Sequence, residues 1–471
     1  MYSRKTKIVG TIGPATSSPE MLRRLIDAGL DVARLNLSHG NHDEHRRIIH
    51  ELRRISGETG REIAILLDLA GPKIRLGEIP GGERTLEPGE ELILISGQEA
   101  AGNDLPVNYT YLFEDVHVDD RILLADGRVE LCVIEKKDRK VYCQVVVGGD
   151  ITSRKGLNLP TSVLRIPAFT EKDRTDLEFG LKEGVDIVAL SFVRDKKDLA
   201  PLREILDGLD DPPMLMAKIE KPEAILNLEE ILASVEGVMV ARGDLGVEMP
   251  LEEVPLIQKR VIEEARRVGR AVITATQMLH TMLNSPRPSR AEVTDVANAI
   301  MDGTDAVMLS DETAIGHYPV EAVKVLNRLC RATEPHLNSD RFLHEDHSNL
   351  IPLTEAALSR AATRLARDIE PAAIIAATTS GSTARLVARY RPPYPVVGFT
   401  SKLSTCRQLC LSWGVLPALV PVYSDVDQMF DQVKEWVQKN NLASPGDRLI
   451  VTAGIPLMVP GTTNLLKVIE M

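Results

Sequence analysis

Residues 216–248 read MAKIEKPEAILNLEEILASVEGVMVARGDLGVE, and they place a helical segment between two apolar runs. The runs, residues 213–219 and 237–241, are short and carry hardly any polar residue before their ends. Such runs are typical of parallel strands that are covered on both faces. Residues 222 to about 234 have the spacing of an amphipathic helix. Together they predict a βαβ unit of an α/β barrel or an open α/β sheet.

Charged residues stand at the C-terminal ends of both runs. Lys218 and Glu220 end the first run, and Arg242 and Asp244 follow the second. Because active sites of these folds lie at the C-terminal ends of parallel strands, we expect the lysine and the two carboxylates to converge. Two carboxylates suit a divalent metal, and a lysine suits developing anionic charge. A salt-bridge cluster that merely closes the barrel is the alternative.

The alternation of strand and helix continues on both sides of this unit. The predicted strands cover residues 6–12, 32–37, 63–67, 187–193, 214–219, 238–241, 271–276 and 306–309. Polar residues follow every one of them, which is the pattern of a catalytic rim. Eight strand–helix units predict a (β/α)₈ TIM barrel, to which we assign residues 1–70 and 168–345.

The alternation is interrupted once and then changes character. Residues 71–167 contain short β-rich pieces between Gly, Pro and Asp turns, which predicts an inserted β-barrel lid domain. A polar hinge at residues 338–349 precedes a second series of strands and helices. Residues 346–471 are therefore assigned to a C-terminal α/β domain with a small doubly wound or mixed sheet.

Composition and charge narrow the class of protein. Hydrophobic residues make up 44% and charged residues 26% of the 471 residues, which is ordinary for a globular protein. The net charge of −12 argues against nucleic acid as a partner, and no apolar run approaches the ~20 residues of a membrane span. The cysteines are scattered and complete no zinc pattern: Cys132, Cys143, Cys330, Cys406 and Cys410. We expect reduced thiols and a cytoplasmic protein.

Phosphate-binding motifs of the common nucleotide folds are absent from the sequence. It contains neither a Walker A motif nor GxGxxG, so phosphates would be held by cationic side chains, strand-end amides and metal. Suitable cations stand at separate strand ends: Arg34, Lys73, Arg75 and Lys218. A loop of Thr378, Thr379, Ser380, Gly381, Ser382 and Thr383 could also hold a phosphate, or it could simply cap the next helix.

Six motifs, in this combination and order, resemble the pyruvate kinase family over nearly the whole chain. They are RLNLSHG at 34–40, Asp68 with GPKIR at 71–75, KGLNLP at 155–160, KIE at 218–220, ARGDLG at 241–246 and TATQM at 274–278. The resemblance implies a barrel with a lid domain and a C-terminal regulatory domain. It also implies transfer of the phosphoryl group of phosphoenolpyruvate to ADP, in the last step of glycolysis, by a homotetramer.

The resemblance implies roles for the residues at the strand ends. Glu220 and Asp244 would bind Mg²⁺ or Mn²⁺. The implied catalytic residues are Lys218, Arg34, Thr276 and Ser310, the last two on the path that protonates the enolate. The implied substrate-binding residues are Arg34, Lys218, Gly243, Asp244 and Thr276, with an unpaired Gly243 N–H available to the ligand. The implied nucleotide contacts are Asn36, His39, Arg75 and Lys155.

Two departures from the family pattern concern a monovalent cation. Potassium-dependent members bind K⁺ with Asn, Ser, Asp and a following Thr, and they carry Glu where this chain has Lys73. Here Asn36, Ser38 and Asp68 remain, but Leu69 replaces the Thr. A lysine ammonium could supply the charge of K⁺ and would repel a second cation. We therefore predict that Lys73 substitutes for K⁺ and that K⁺ is not required.

The resemblance extends to regulation. The loop at 378–383 matches the family's sugar-phosphate pocket, and residues 460–464 resemble the loop that closes near it. Fructose 1,6-bisphosphate, AMP and ribose 5-phosphate are effectors of bacterial-type members, and no residue of the sequence chooses among them. Two other functions stay open at this stage: a magnesium-dependent barrel lyase acting on pyruvate-type enolates, and a catalytically silent sugar-phosphate sensor.

Overall fold

The computed structural model describes residues 4–97, 104–343, 350–457, 459 and 461–471. Its first three strands are parallel neighbours: β1 Lys7–Thr11, β2 Val32–Asn36 and β3 Ala64–Leu69. Two helices connect them: α1 Pro19–Ala28 and α2 His42–Thr59. Helix α1 begins after Ser18, whose side chain accepts a hydrogen bond from the Met21 N–H. It ends at Gly29, whose φ of 124° is rarely adopted by residues that carry a side chain.

An insertion of short strands follows β3. Its elements are β4 Glu83–Leu86, β5 Glu91–Ser96, β6 Leu105–Val107, α3 Leu112–Asp115, β7 Arg121–Leu124, β8 Val129–Lys137, β9 Lys140–Val147, β10 Gly149–Thr152 and β11 Leu157–Asn158. Six strands form one sheet in the order β11-β7-β8-β9-β5-β6, and β10 pairs with β4 in a second sheet. Alternate residues of β8 and β9 face the apolar core of this lid, which explains why apolar residues recur at every second position in these two strands.

The chain then returns and completes the barrel. The remaining barrel strands are β12 Ile187–Leu190, β13 Met214–Ile219, β14 Gly237–Ala241, β15 Ala271–Ala275 and β16 Ala306–Leu309. The helices around them are α4 Glu171–Glu183, α5 Lys196–Asp207, α6 Pro222–Leu226, α7 Leu228–Ser234, α8 Arg242–Glu248, α9 Val254–Arg267, α10 Arg290–Asp302, α11 Asp311–Ala314 and α12 Pro319–Thr333. Parallel pairing runs around the ring β1-β16-β15-β14-β13-β12-β3-β2 and closes it.

The barrel strands are buried on both faces. One set of side chains, including Val9, Leu66 and Met216, fills the interior, and the alternate set packs under the surrounding helices. This double burial is why the strands appear in the sequence as uninterrupted apolar runs. Since the strands are parallel, the polar residues that follow them all emerge at the same rim, where the lid is also attached.

The C-terminal part forms a separate mixed sheet. Its strands are β17 Ala373–Ala377, β18 Val396–Thr400, β19 Val415–Leu419, β20 Arg448–Gly454 and β21 Thr463–Glu470, and its helices are α13 Ser339–Leu343, α14 Leu353–Ile369, α15 Ser382–Ala388, α16 Leu403–Gln408 and α17 Val426–Lys439. The order is β19-β18-β17-β20-β21, with only β21 antiparallel. This part packs on the N-terminal end of the barrel, where Lys7 Nζ donates to the Val415 carbonyl at 2.8 Å.

One local detail differs from the sequence-based expectation. The helix predicted from 222 to 234 is two helices, because Asn227 leaves the helical conformation and its Nδ2 donates to the Arg194 carbonyl at 3.0 Å. Residues 242–248 form helix α8 directly after β14. Within the described ranges, no helix has the length and apolar character needed to cross a membrane. The predicted hinge extends into residues 344–349, which lie outside the described residues.

Candidate active site

Lys218, near the end of β13, is the centre of a buried ion-pair cluster at the rim. Its Nζ lies 2.7 Å from Glu220 Oε1 and 3.4 Å from Asp68 Oδ1, and it donates to Ser191 Oγ at 2.8 Å. Burial alone would lower the pKa of Lys218, but Asp68, Glu220 and Asp244 raise it above its ordinary value. The ammonium is therefore firmly charged, and its position is fixed by three neighbours.

Asp68 joins this lysine to Arg34. Arg34 Nε and Nη2 each lie 2.7 Å from Asp68 Oδ2, and Nη1 donates to Thr11 Oγ1 at 2.9 Å. Burial would raise the pKa of Asp68, but Lys218 and Arg34 bring it below its ordinary value. One buried carboxylate thus holds two cations side by side, which creates a patch of positive charge suited to a phosphoryl group.

The two carboxylates expected to bind metal have different surroundings. Glu220 is 1% exposed, and its Oε2 accepts the Phe192 N–H at 2.8 Å. Phe192 has a φ of 58°, a left-handed conformation that a bulky residue rarely adopts. The Asp244 carboxylate has no hydrogen-bond or ion-pair partner among the described residues. Burial, and then the charge of Glu220, raise the pKa of Asp244 to about 6.

These surroundings fit a divalent cation. A partly uncompensated pair of carboxylates favours a cation between them, and Mg²⁺ is commonly held by one or two carboxylates plus water and substrate oxygens. Across the described ranges, no group of three or more His, Cys, Asp or Glu side chains is arranged to hold a metal.

Thr276 lies beside the start of α8. Its φ is 68°, and its Oγ1 accepts the Gly243 N–H at 2.8 Å and donates to the Ala275 carbonyl at 2.6 Å. The expectation of an unpaired Gly243 N–H is therefore wrong: the left-handed turn at Thr276 brings its hydroxyl onto that amide. Arg242 binds Asp295 at 2.7 Å and the Thr276 carbonyl at 2.8 Å, so it holds this turn in place.

Ser310 follows β16 at the same rim. Its hydroxyl is buried and has no hydrogen-bond partner in the described part of the chain, whereas its N–H donates to Glu312 Oε2 at 2.7 Å. Glu312 Oε1 accepts the Leu279 N–H at 3.1 Å, so one buried carboxylate ties together the segments that follow β15 and β16. Asp311 is exposed, and its charge acts on His39.

A cleft of about 390 Å³ separates the rim from the lid. The cleft is lined by His39, Lys73, Arg75, Lys155 and Asp244. Three of the four predicted nucleotide contacts therefore line the same cleft. The fourth, Asn36, does not line the cleft; its Oδ1 accepts the Ser38 N–H at 3.0 Å and shapes the turn after β2.

Two of the three residues predicted for a monovalent-cation site have engaged oxygens. Asp68 holds Arg34 and Lys218, and Asn36 Oδ1 accepts the Ser38 N–H. The neighbouring Leu69 carbonyl accepts a hydrogen bond from the Ser191 hydroxyl at 2.7 Å.

Lys73 is close enough to Asp244 and Glu220 to interact with them electrostatically. Its side chain is exposed to solvent at the cleft surface. Partial desolvation by the cleft lowers the pKa of Lys73, and the positive charges of Lys218 and Arg75 lower it further. Asp244 and Glu220 act in the opposite direction. The ammonium of Lys73 therefore adds positive charge to the same region of the cleft.

Three residues of the cluster were not among the predicted site residues: Thr11, Ser191 and Glu312. Each is the polar residue at or just after a barrel strand, and that position is the one signal that could have marked them. The partners of Thr11 and Ser191, which are Arg34 and Lys218, come from distant parts of the sequence. Glu312 joins the neighbouring Ser310 N–H to the Leu279 N–H, 33 residues away in the sequence.

The hydroxyl-rich loop lines a second pocket in the C-terminal sheet. Five of its six residues line the pocket: Thr378, Thr379, Ser380, Ser382 and Thr383. Gly381 does not, because it turns with a φ of 80°. On the opposite wall Thr463 Oγ1 lies 2.8 Å from Thr383 Oγ1. Of the closing loop predicted at 460–464, Pro460 lies outside the described residues.

Comparisons with known proteins agree on one family. Residues 3–323 match the family model described as pyruvate kinase, barrel domain, and residues 356–469 match pyruvate kinase, alpha/beta domain. A pyruvate kinase of Geobacillus stearothermophilus is 44% identical, covering 99% of this chain and 80% of the relative. One of Clostridium perfringens is 40% identical, covering 99% of both chains.

A solved structure agrees as well. The crystal structure of a pyruvate kinase from Cryptosporidium parvum superposes with a TM-score of 0.93 at 34% identity, covering 99% of this chain and 96% of the other. With the family models matching almost the whole length and the rim built as described, the chain belongs to the pyruvate kinase family.

Proposed function

We infer that the rim around Lys218 carries the reaction of the family, in which the phosphoryl group of phosphoenolpyruvate passes to ADP and yields pyruvate and ATP. The chain is a phosphotransferase of glycolysis, and its family requires a divalent metal. The observation that supports this location is the joint placement of Lys218, Arg34 and two carboxylates beside a cleft roofed by the lid.

Glu220 and Asp244 would hold the metal, for which we propose Mg²⁺ or Mn²⁺. When bound, the metal supplies a Lewis acid beside the substrate oxygens. Lys218 stabilises the negative charge of the transferring phosphoryl and of the enolate, and Arg34 binds the phosphoryl. Because Asp68 holds both cations before substrate arrives, the charge is preorganised and needs no rearrangement during the reaction.

We assign proton transfer and substrate orientation to hydroxyl groups at the rim. Thr276 and the Gly243 amide lie where they can bind the substrate carboxylate once their mutual hydrogen bond opens. The Ser310 hydroxyl, buried and without a partner, is available to pass a proton toward the enolate together with Thr276. His39, Arg75 and Lys155 contact the nucleotide phosphates from the cleft, and Asn36 supports the turn that carries His39.

A coupled assay tests the function itself. We expect pyruvate to be released from phosphoenolpyruvate only when ADP and Mg²⁺ are both present, because the enolate is not discharged until the phosphoryl has an acceptor. Pyruvate release that needs no ADP, or no release at all, would contradict the kinase assignment. The cluster around Lys218 and the family membership favour neither alternative.

The metal site is tested by Glu220→Gln. The change removes a charge while keeping the side-chain shape, so we expect Mn²⁺ affinity in the absence of substrates to fall at least about tenfold. Electron paramagnetic resonance of free Mn²⁺ measures this without reference to activity. Glu229→Gln, an exposed position on α7, is the matched control and should leave the affinity unchanged. Unchanged affinity in Glu220→Gln would remove Glu220 from the metal site.

Other expectations stay predictions. They are the homotetrameric state, a cytoplasmic location, domain limits at 1–70 with 168–345, 71–167 and 346–471, and the binding of a phosphorylated allosteric effector by the loop at 378–383. For the effector, the hydroxyls that line the pocket are the supporting observation. The independence from K⁺ rests on the engaged oxygens around Asp68 and on the charge of Lys73.

A further inference from the structure

Glu248, the last residue of α8, joins the barrel rim to the lid at the edge of the cleft. Its Oε1 accepts a hydrogen bond from Asn158 Nδ2 at 2.8 Å and forms an ion pair with Lys221 Nζ, also at 2.8 Å. The Glu248 side chain is 1% exposed, so both contacts are shielded from water and strengthened. The preceding residue also meets the lid, because a Cβ added at Gly127 would lie 3.8 Å from Val247 Cγ1. We call Glu248, Lys221 and Asn158 the Glu248 junction.

On the barrel side, the Glu248 junction is adjacent to both proposed metal ligands. Glu248 stands four residues after Asp244 on α8, so the two side chains lie on the same face of the helix. Lys221 directly follows Glu220, just past the end of β13. The ion pair between Lys221 and Glu248 therefore ties together the two elements that carry the metal carboxylates.

On the lid side, the junction holds the segment that carries a proposed nucleotide contact. Asn158 lies three residues after Lys155. Backbone bonds hold this segment against its neighbour in the lid: the Leu76 N–H donates to the Lys155 carbonyl, and the Leu157 N–H donates to the Ile74 carbonyl, both at 2.9 Å. Because the segment is held in this way, a shift of Asn158 relative to the barrel would carry Lys155 with it.

Elsewhere the lid is held at the two places where the chain enters and leaves it. The Gly71 N–H donates to Asp173 Oδ1 at 3.1 Å, and the Arg194 guanidinium donates to carbonyls within residues 164–166. Away from these two connections, the described residues show one side-chain hydrogen bond between lid and barrel, and it is the one in the Glu248 junction. The junction therefore controls the position of the part of the lid that faces Asp244.

We propose that Glu248 and Asn158 are positioning residues for the nucleotide: their hydrogen bond fixes the lid where Lys155 meets the nucleotide phosphates. The proposal rests on the nucleotide role given to Lys155 under Proposed function, and it adds the contact that sets the position of that cation. In this arrangement neither positioning residue touches a substrate. Phosphoenolpyruvate binds to side chains of the barrel rim and does not depend on them.

The first test is Asn158→Ala, which removes the donor on the lid and leaves the ion pair of Lys221 and Glu248 in place. We expect the Kd for ADP with Mg²⁺, measured by isothermal titration of the full-length protein, and the KM for ADP to rise about tenfold. The reason is that a smaller fraction of molecules holds Lys155 in its binding position. Gln144→Ala, an exposed position on β9 of the lid, is the matched control and should change neither value.

The response of the other ligands separates positioning from a general structural effect. In Asn158→Ala the KM for phosphoenolpyruvate should stay within about twofold, because its proposed ligands belong to the barrel. The affinity for Mn²⁺ without substrates should also stay the same, because Glu220 and Asp244 are untouched. Equal losses for ADP, phosphoenolpyruvate and Mn²⁺ would overturn the proposal. Should Asn158→Ala not fold, Asn158→Ser, whose hydroxyl is too short to reach Glu248, carries the same expectations.

A double-mutant cycle tests whether Asn158 acts through Lys155. In a Lys155→Met background, Asn158→Ala should change the affinity for ADP by no more than about threefold, because the cation that it positions is gone. A larger loss in that background would overturn the proposal. An ADP affinity that Asn158→Ala leaves unchanged in the otherwise unmodified protein would overturn the positioning role alone, whereas no binding of ADP to the unmodified protein would overturn the nucleotide role of the cleft as well.

Discussion

Replacing Lys218 with methionine is expected to lower the rate of phosphoryl transfer by about 10²- to 10³-fold or more, the range found when one preorganised charge donor is removed. Methionine preserves the length of the side chain but cannot stabilise the phosphoryl and enolate charge. The metal carboxylates remain, and Glu220 loses the ammonium that lies 2.7 Å away. We therefore expect Mn²⁺ binding to persist or to become tighter.

The measurement is single-turnover transfer in the presence of saturating substrates and metal, with Mn²⁺ affinity determined on the same preparation. Loss of Lys218 also leaves Asp68 with only Arg34 and leaves Glu220 less compensated, so thermal unfolding must be followed in parallel. Lys324→Met, an exposed position on α12, is the control. A Lys218→Met protein that is folded and transfers phosphoryl within tenfold of the unmodified rate would contradict the assigned role.

Turnover in potassium-free buffer, with tetramethylammonium as counter-ion, is expected to equal turnover in KCl within about twofold. The physical reason is that Asn36, Asp68 and the Leu69 carbonyl already have protein partners, while Lys73 adds fixed positive charge to the cleft. A rise of about a hundredfold on adding KCl, equivalent to roughly 2.7 kcal/mol of barrier, would refute the prediction.

A charge reversal at Lys73 sharpens this test. Lys73→Glu should lower potassium-free turnover and introduce a response to KCl, because the fixed cation has been replaced by an anion that attracts a soluble one. Lys137→Glu, on the exposed surface of the lid, makes the same change in net charge and should do neither. Equal behaviour of the two variants would mean that Lys73 does not act as the cation.

Much of the fold could be predicted from single residues and their spacing. The strands β13 and β14 were recognisable because both faces of a barrel strand are buried, which leaves only apolar residues between polar ends. The lid was recognisable because one face of β8 and of β9 is exposed to solvent, so apolar residues recur at every second position in these strands. Boundaries were less certain: β3 extends through Asp68 to Leu69, so Asp68 lies within a strand and not after it.

The directions of side chains at the rim could not be predicted in the same way. Arg242 stands two residues before Asp244, yet it turns toward Asp295 and the Thr276 carbonyl, because α8 starts at once after β14 and sends neighbouring residues to different sides. Likewise, the Gly243 amide was expected to be unpaired and is bound by Thr276, since a left-handed turn at the end of β15 redirects that hydroxyl.

Glu355 illustrates the same limit in the C-terminal sheet. In the sequence it is an ordinary acidic residue in the first turn of an amphipathic helix, which the helix dipole would favour. Only the packing of α14 against β20 and β21 places its carboxylate in the pocket lined by the loop at 378–383, where Oε1 has no hydrogen-bond partner among the described residues.

The sequence by itself therefore determined the (β/α)₈ barrel, a C-terminal α/β sheet and the chemical types of side chain at the Lys218 rim, because burial periodicity and polar strand ends are local properties. The resemblance of its motifs indicated the family. The tertiary structure alone decided that one carboxylate, Asp68, holds both Arg34 and Lys218. It also decided that Asp244 remains without a partner near Glu220. Ion pairing and desolvation depend on distances between strands that are far apart in sequence, and those distances exist only once the barrel has closed.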